Sequence, residues 1–461
     1  MRTWTRRHLL LSAASTVSTA GLAVTASVPV PAHAVTGPPP PAGAPDDAFV
    51  RRLGALPGVR IVEERPGAEP GYRFFVLGLR QPVDHADPSA GTFEQRLTLL
   101  HTSAERPTVL FTTGYEATLT PRRAEPTVLL GANQLQVEHR YFGVSLPRPP
   151  HDYSHLTIRQ AADDHHRVVR AFRRLYPGAW ISAGGSKGGM ASVYHRRFHP
   201  HDVDGTVAYG APNNVDDRDD SAYLRFLDTV GTAADREALR TVQRRLLLHR
   251  TELVARYEAA TAAAGDGFRI VGSADKAFEV AVLRVPFMFW QNGGGPADLA
   301  AVPGPDATAD ELYTWLDRTT GLALYADAIA RVYIPYWYQL GTQLGYLGVP
   351  TAHLAGLLRH PDAIEPRTFV PRDIPLRFDT GAMPDIDRWV RRRGSRLLFV
   401  NGERDPSVAE PFRPGPRDSR VLWAPGANHH TGIAALSAAD RAEATATLTR
   451  WATRRPRVPV P

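Results

Sequence analysis

The chain contains no cysteine. Thiol nucleophiles, disulfides and cysteine-ligated metals are therefore excluded. Strong charge of one sign is also missing. The formal net charge is +7 over 461 residues, and Arg2, Arg6 and Arg7 sit in an N-terminal segment without acids, which leaves +4 for the remainder. That balance, with no basic stripe interleaved with aromatics, does not suit a nucleic-acid partner. After the N-terminal segment, no run reaches the roughly 18 unbroken apolar residues that cross a membrane, so the mature chain is expected to be soluble. There is no H-E-x-x-H and no internal repeat, so neither a metal nor another cofactor is expected.

What is present is an ordinary globular balance, with 43% hydrophobic and 22% charged residues. The 40 prolines and 38 glycines indicate many loops. The length suits a large catalytic domain carrying an insertion. The start, Thr5-Arg6-Arg7-His8-Leu9-Leu10, runs into an Ala/Leu/Val-rich stretch and ends at Ala32-His33-Ala34. A basic start, an apolar run and a small-x-small end mark an export signal, and the paired arginines resemble the twin-arginine type. Secretion is the expectation.

Apolar runs ending in glycine, such as TVLFTTG (108–114), read as buried parallel strands. YRFFVLGL and FEQRLTLLH (72–100) read as two strands, and LQVEHRYFG (135–143) as a strand and loop. Ala161, His165, Val168, Phe172 and Leu175 fall on one face of a helix over 157–176. Strands alternate with helices up to VDGTVAYGAP (203–212), and again from SRLLFVNGERDP (395–406). Between them the pattern is helical, with one long amphipathic stretch over 233–264. The expected architecture is an α/β-hydrolase fold: a mostly parallel sheet with helices on both faces. The divisions are an export signal at 1–34, a Pro/Gly-rich leader at 35–48, a first core part at 49–215, a helical cap at 216–390 and a second core part at 391–461.

Gly184-Gly185-Ser186-Lys187-Gly188 fits the G-x-S-x-G elbow, with an apolar strand before it and a helix after it. Small neighbours let the turn approach adjacent strands, and the turn presents the serine hydroxyl. The plainer reading is a tight turn whose serine caps the helix. Two later residues favour the elbow. Asp405 follows the strand LLFV, and His429 follows VLWAP within Gly426-Ala427-Asn428-His429. The order Ser, Asp, His is that of an α/β-hydrolase triad, in which the acid orients the histidine and the histidine relays the proton. His430 is the neighbouring candidate, and the Gly-x-x-His spacing favours His429. The backbone N–H of Lys187 is one oxyanion donor, and Tyr115 in Thr112-Thr113-Gly114-Tyr115-Glu116 is the candidate for the second, unless it only packs over the site.

Ordered segments resemble the serine peptidases that include lysosomal Pro-Xaa carboxypeptidase and dipeptidyl peptidase II. These are QPVDH (81–85), TFEQR (92–96), TTGYE (112–116), EHRYFGVSLP (138–147), LTIRQAADD (156–164), GGSKGG (184–189) and, in the cap, YWYQLGTQLGY (336–346). The resemblance is closer to a bacterial secreted branch, the prolyl tri- and tetrapeptidyl aminopeptidases, in SKGGM, the absence of cysteine and the export signal. The departures from the lysosomal members are Lys187, where an aromatic residue is usual, and Gln343, where an acid is often found. The resemblance implies release of short peptides from a free N-terminus, with proline favoured at the cleaved position. Peptides with a free N-terminus would be the partners.

Such an enzyme needs a carboxylate for the substrate ammonium. Glu116 is one candidate; the alternative is a structural Glu buried against an Arg. Glu138 and Arg140 are expected to pair with each other. Phe287, Phe289, Trp290, Tyr336, Trp337 and Tyr338 are candidates for a proline pocket, against the alternative that they fill the core. The competing functions are an exported esterase or lipase with the same triad, and an inactive hydrolase fold that binds.

Overall fold

The computed structural model describes residues 47–67, 69–147 and 152–453. The export signal at 1–34 and the leader up to residue 46 lie outside the described residues. Nine strands form one sheet: β1 (Val59–Arg65), β2 (Arg73–Pro82), β3 (Thr92–His101), β4 (Thr108–Thr112), β5 (Asn133–Val137), β6 (Trp180–Gly185), β7 (Gly205–Tyr209), β8 (Leu397–Gly402) and β9 (Arg420–Ala424). Their spatial order is β1-β2-β3-β5-β4-β6-β7-β8-β9. The first three strands and the β3–β5 pair are antiparallel; every later pair is parallel. This is the α/β-hydrolase fold expected from the alternation of strands and helices.

Side chains alternate across the sheet and build two cores. In β4, Leu110 packs with Leu97, Leu99, Leu135 and the helix Ile158–Phe172. Its neighbour Val109 faces the other way, towards Ile181, Val207, Leu398 and the helix Ala438–Ala452. β1 escapes the sequence reading because it is an edge strand whose residues are all partly or fully exposed. Without a buried face it shows no alternation.

The helices from Ser221–Thr229 to Ala382–Arg392 all lie between β7 and β8. The amphipathic stretch over 233–264 is two helices, Ala233–Leu248 and Arg250–Ala263, jointed at His249. Arg250, which opens the second helix, is 3% exposed and reaches Glu279 and Asp275.

Three of the ordered sequence motifs meet in one buried network. All five N–H groups of Arg140 are used: two on the carboxylate of Asp164 at 2.7 and 2.8 Å, and three on the carbonyls of Pro82, Val83 and His155. Arg140 therefore pairs with Asp164, not with Glu138. Glu138 instead accepts the N–H groups of Ala117, Val144 and Ser145 and the Ser145 hydroxyl, with Arg96 at 3.4 Å. It ties the 115–117 loop to the turn after β5.

Candidate active site

β6 runs into the helix Lys187–Phe198 through Ser186, which is held at φ 52°, ψ −129°. A non-glycine residue in this region is strained by about 1–3 kcal/mol. The Ser186 N–H donates to Tyr209 O at 2.8 Å, and Ser186 O accepts the Met190 N–H at 3.0 Å, which locks the turn. The neighbours must be glycine. A Cβ on Gly188 would lie 2.2 Å from Thr112 O, and one on Gly114 would lie 2.6 Å from Gly188 N. The loop after β4 is thus pressed against the start of the helix, whose first N–H groups have no partner within the helix.

Asp405 follows β8 and is fully buried. One carboxylate oxygen accepts the Ser407 N–H at 2.9 Å; the other is 2.7 Å from Nδ1 of His429. An ionised carboxylate only accepts, so Nδ1 carries the proton and Nε2 presents its lone pair. Nε2 is buried and, among the described residues, has no hydrogen-bond partner, the Ser186 hydroxyl included. Gly210, one residue beyond the carbonyl that holds Ser186, links the two halves. A Cβ there would sit 3.1 Å from both Asp405 Oδ2 and His429 Nδ1. Serine, acid and histidine therefore converge at the carboxyl ends of β6, β8 and β9. His430 turns away and meets Asn292 at 3.1 Å. The arrangement can activate a hydroxyl and stabilise an oxyanion at a helix N-terminus.

A sequence model of the family described as PS-10 peptidase S37 matches residues 45–458. The chain belongs to that family. It is a serine-type aminopeptidase, a hydrolase. A prolyl tri/tetrapeptidyl aminopeptidase from Streptomyces mobaraensis is 48% identical over 413 residues, covering 89% of this chain and 86% of the relative. A prolyl carboxypeptidase-like protein from Caenorhabditis elegans is 35% identical over 23% of this chain and 24% of its own length. Among solved structures, the peroxisomal α/β-hydrolase Lpx1 of Saccharomyces cerevisiae matches with a TM-score of 0.38 and 10% identity, covering 85% of this chain and 93% of that one.

In this S37 peptidase the aromatic residues sort into core and site. Trp290 is 1% exposed and packs on Phe289; Trp337 is 5% exposed and stacks on Phe369 at 3.8 Å. Indoles so enclosed offer no face to a substrate, so these two belong to the core and not to a proline pocket. Tyr338 packs beside Tyr153 at 5.3 Å, and Phe287 is buried on the helix that carries Gln291. Tyr336 is the candidate that does reach the site region. Its ring meets Tyr115 edge-on at 5.6 Å, and Tyr333 joins from the same helix at 5.9 Å. Burial and the neighbouring tyrosines raise the Tyr115 phenol well above its ordinary range, and Tyr336 is pushed up to about 12. Both stay protonated at neutral pH.

The Tyr115 N–H is occupied by Thr113 Oγ1, at a long 3.2 Å. Glu116 is exposed and forms no ion pair with the described residues, which removes the reading of a Glu buried against an Arg. Gln343 is structural: its side chain accepts the Ile158 N–H at 2.8 Å, at the start of a helix.

Two features escaped the sequence. The carbonyl of Gln291, at the end of the helix Ala274–Asn292, accepts the His429 N–H at 3.1 Å, while its side chain donates to Ser407 Oγ at 2.8 Å. On the other flank, Glu125 accepts the N–H groups of Ile433 and Ala434, both at 2.8 Å. The histidine loop is thus pinned from both sides. A glutamine at a helix end carries no signal of this by itself.

Proposed function

We propose that this peptidase releases tri- and tetrapeptides from the free N-terminus of peptide chains, with proline favoured at the cleaved position. Ser186 attacks the scissile carbonyl and His429 takes its proton through Nε2. Asp405 holds the tautomer and stabilises the imidazolium. The Lys187 and Tyr115 N–H groups receive the oxyanion, the latter exchanging its long bond to Thr113 for a shorter one. The acyl-enzyme then forms, the shortened peptide leaves with its new amino terminus, and water releases the tri- or tetrapeptide. Glu116 holds the substrate ammonium: it is exposed, it flanks the oxyanion loop, and none of the described residues uses its charge. Tyr336, Tyr333 and Tyr115 form the aromatic wall for proline. The N-terminal segment directs export, so the substrates are extracellular peptides.

The observation that carries this reading is the 48% identity to a prolyl tri/tetrapeptidyl aminopeptidase over most of both chains, supported by the 2.7 Å contact between Asp405 and His429. The test uses two chromogenic tripeptides ending in proline, one with a free amine and one N-acetylated, with Ser186→Ala as control. Cleavage of only the free-amine compound, lost in Ser186→Ala and weakened in KM by Glu116→Gln, is the expected result. Equal cleavage of both would reject N-terminal recognition. Turnover of simple acyl esters alone would reject the peptide reading.

A further inference from the structure

Lys187 follows the nucleophile, yet its side chain is only 4% exposed. Among the described residues no carboxylate pairs with it. Nζ makes one hydrogen bond, donated to Gly114 O at 2.5 Å, and lies 5.1 Å from the Tyr115 ring centre and 4.7 Å from that of Phe142. Beside it is a cavity of about 10 Å³, lined also by His139, Tyr194 and Gln339, whose Oε1 is buried without a partner. A buried cation without a counter-charge is costly, and burial lowers the Lys187 ammonium well below the ordinary lysine range. Fold stability alone does not call for such a residue.

The one group it grips is informative. Gly114 O and the Tyr115 N–H belong to the same planar trans peptide and point in opposite directions. We propose that Lys187 is a positioning residue for the oxyanion hole: its ammonium holds the Gly114 carbonyl, and so aims and polarises the Tyr115 N–H on the far side of that peptide. Its own backbone N–H is the other donor, so one residue shapes both halves of the hole. A donor on the carbonyl strengthens the N–H of the same unit. The ammonium also places positive charge behind the developing oxyanion in a dry site.

The titratable groups facing Lys187 are His139 from the loop after β5, Tyr115 from the loop after β4 and Tyr194 from its own helix. Burial and the lysine charge keep His139 neutral; burial keeps both tyrosines protonated. Lys187 is therefore the group in this nest whose charge is lost as pH rises.

The inference rests on the serine-hydrolase reading, and its test works with either a prolyl peptide or a simple acyl ester as substrate. Wild type, Lys187→Met and Lys187→Arg are compared in kcat, KM, melting temperature and affinity for two inhibitors: a peptide boronate, which forms a tetrahedral anion on Ser186, and the released peptide product. Lys187→Met is expected to lose about 10²-fold in kcat with KM and product affinity unchanged. Boronate affinity should fall by the same factor, and the melting temperature should hold or rise. Lys187→Arg should restore part of kcat. In wild type, kcat should fall at high pH through one ionisation below the lysine range, and Lys187→Met should lack that limb. Unchanged kcat in Lys187→Met, or equal loss of boronate and product affinity with a lowered melting temperature, would overturn the assignment. If Lys187→Met does not fold, a wild-type kcat that stays flat to about pH 10 overturns it instead. A wild type that turns over the ester but not the peptide would sink the substrate proposal and leave this test intact.

Discussion

Replacing Asp405 by Asn keeps the shape of the side chain and changes only which atoms donate. The carboxylate serves two donors, the Ser407 N–H at 2.9 Å and His429 Nδ1 at 2.7 Å. An amide has one oxygen for both. With that oxygen on Ser407, the amide NH₂ faces Nδ1 and forces it to accept. The imidazole proton then sits on Nε2, and His429 cannot take the serine proton. With the oxygen on Nδ1, the NH₂ confronts the Ser407 N–H and strands a buried donor, at a cost of about 1–3 kcal/mol. The unproductive arrangement is thus favoured by roughly 5- to 150-fold. The productive remainder also lacks the charge-assisted bond to the imidazolium, worth about 1.5–3 kcal/mol, or a further ten- to hundredfold. Together the loss in kcat should be about 10²- to 10⁴-fold, with KM and melting temperature little changed. Steady-state turnover of a prolyl tripeptide chromogen, the rate of fluorophosphonate labelling of Ser186 and thermal unfolding by circular dichroism measure all three. A folded Asp405→Asn variant that keeps more than about a tenth of wild-type kcat would refute the assignment of Asp405 and the tautomer reasoning with it.

The other predictions concern stability and the aromatic residues. Arg140→Met abandons the buried Asp164 carboxylate and should cost about 3–5 kcal/mol, read as a lower urea midpoint; a loss under about 1 kcal/mol would contradict the network. Burial lowers His101 to about 4 and His165 to about 3, from 6.5, and also depresses His139 and His195. Between those values and 6.5 the unfolded chain binds protons that the folded chain refuses, so stability is full above about pH 6.5 and falls as pH drops towards 4 and below. A melting temperature constant from pH 7 to 4.5 would exclude this. Trp337→Ala should cost about 3–5 kcal/mol of stability and leave the KM of the surviving enzyme alone. Tyr336→Phe should leave stability alone and lower kcat/KM by about five- to tenfold through the lost hydroxyl beside Tyr115; the opposite pattern would reverse the division into core and site.

The elbow was legible because it needs unusual residues at fixed spacing: glycines where any Cβ would strike backbone, and a serine at positive φ. Asp405 and His429 were legible from their places after apolar strands. The ordered motifs that carried the family resemblance turn out to be largely scaffold. Gln81, Arg140 and Asp164 bond to one another's segments and form no hydrogen bond with Ser186, Asp405 or His429. Partner choice was not legible. Glu138 and Arg140 lie two residues apart just beyond a strand, where the chain turns through Tyr141 at φ 67°, and each finds its partner elsewhere. Nor could the sequence rank the aromatics, since a run such as FMFWQN does not say which ring faces a cleft and which meets another helix. The joint at His249 was hidden because one buried face, through Leu239, Leu246, Arg250, Leu253 and Tyr257, continues across it.

The bond from Gln291 to the His429 backbone has a mechanical consequence. The imidazole hangs from the roof of the site as much as it rises from its floor. Asn428 and Arg404 reach the same chain turn, at Gly293 O and Gly294 O, and with the Gln291–Ser407 and Asn292–His430 contacts five tethers join the helix end to the loops that carry the acid and the base. A shift of that helix drags the proton acceptor with it, while the serine, fixed to β6 and β7, stays behind. Roof and relay are built as one piece, and the nucleophile belongs to another.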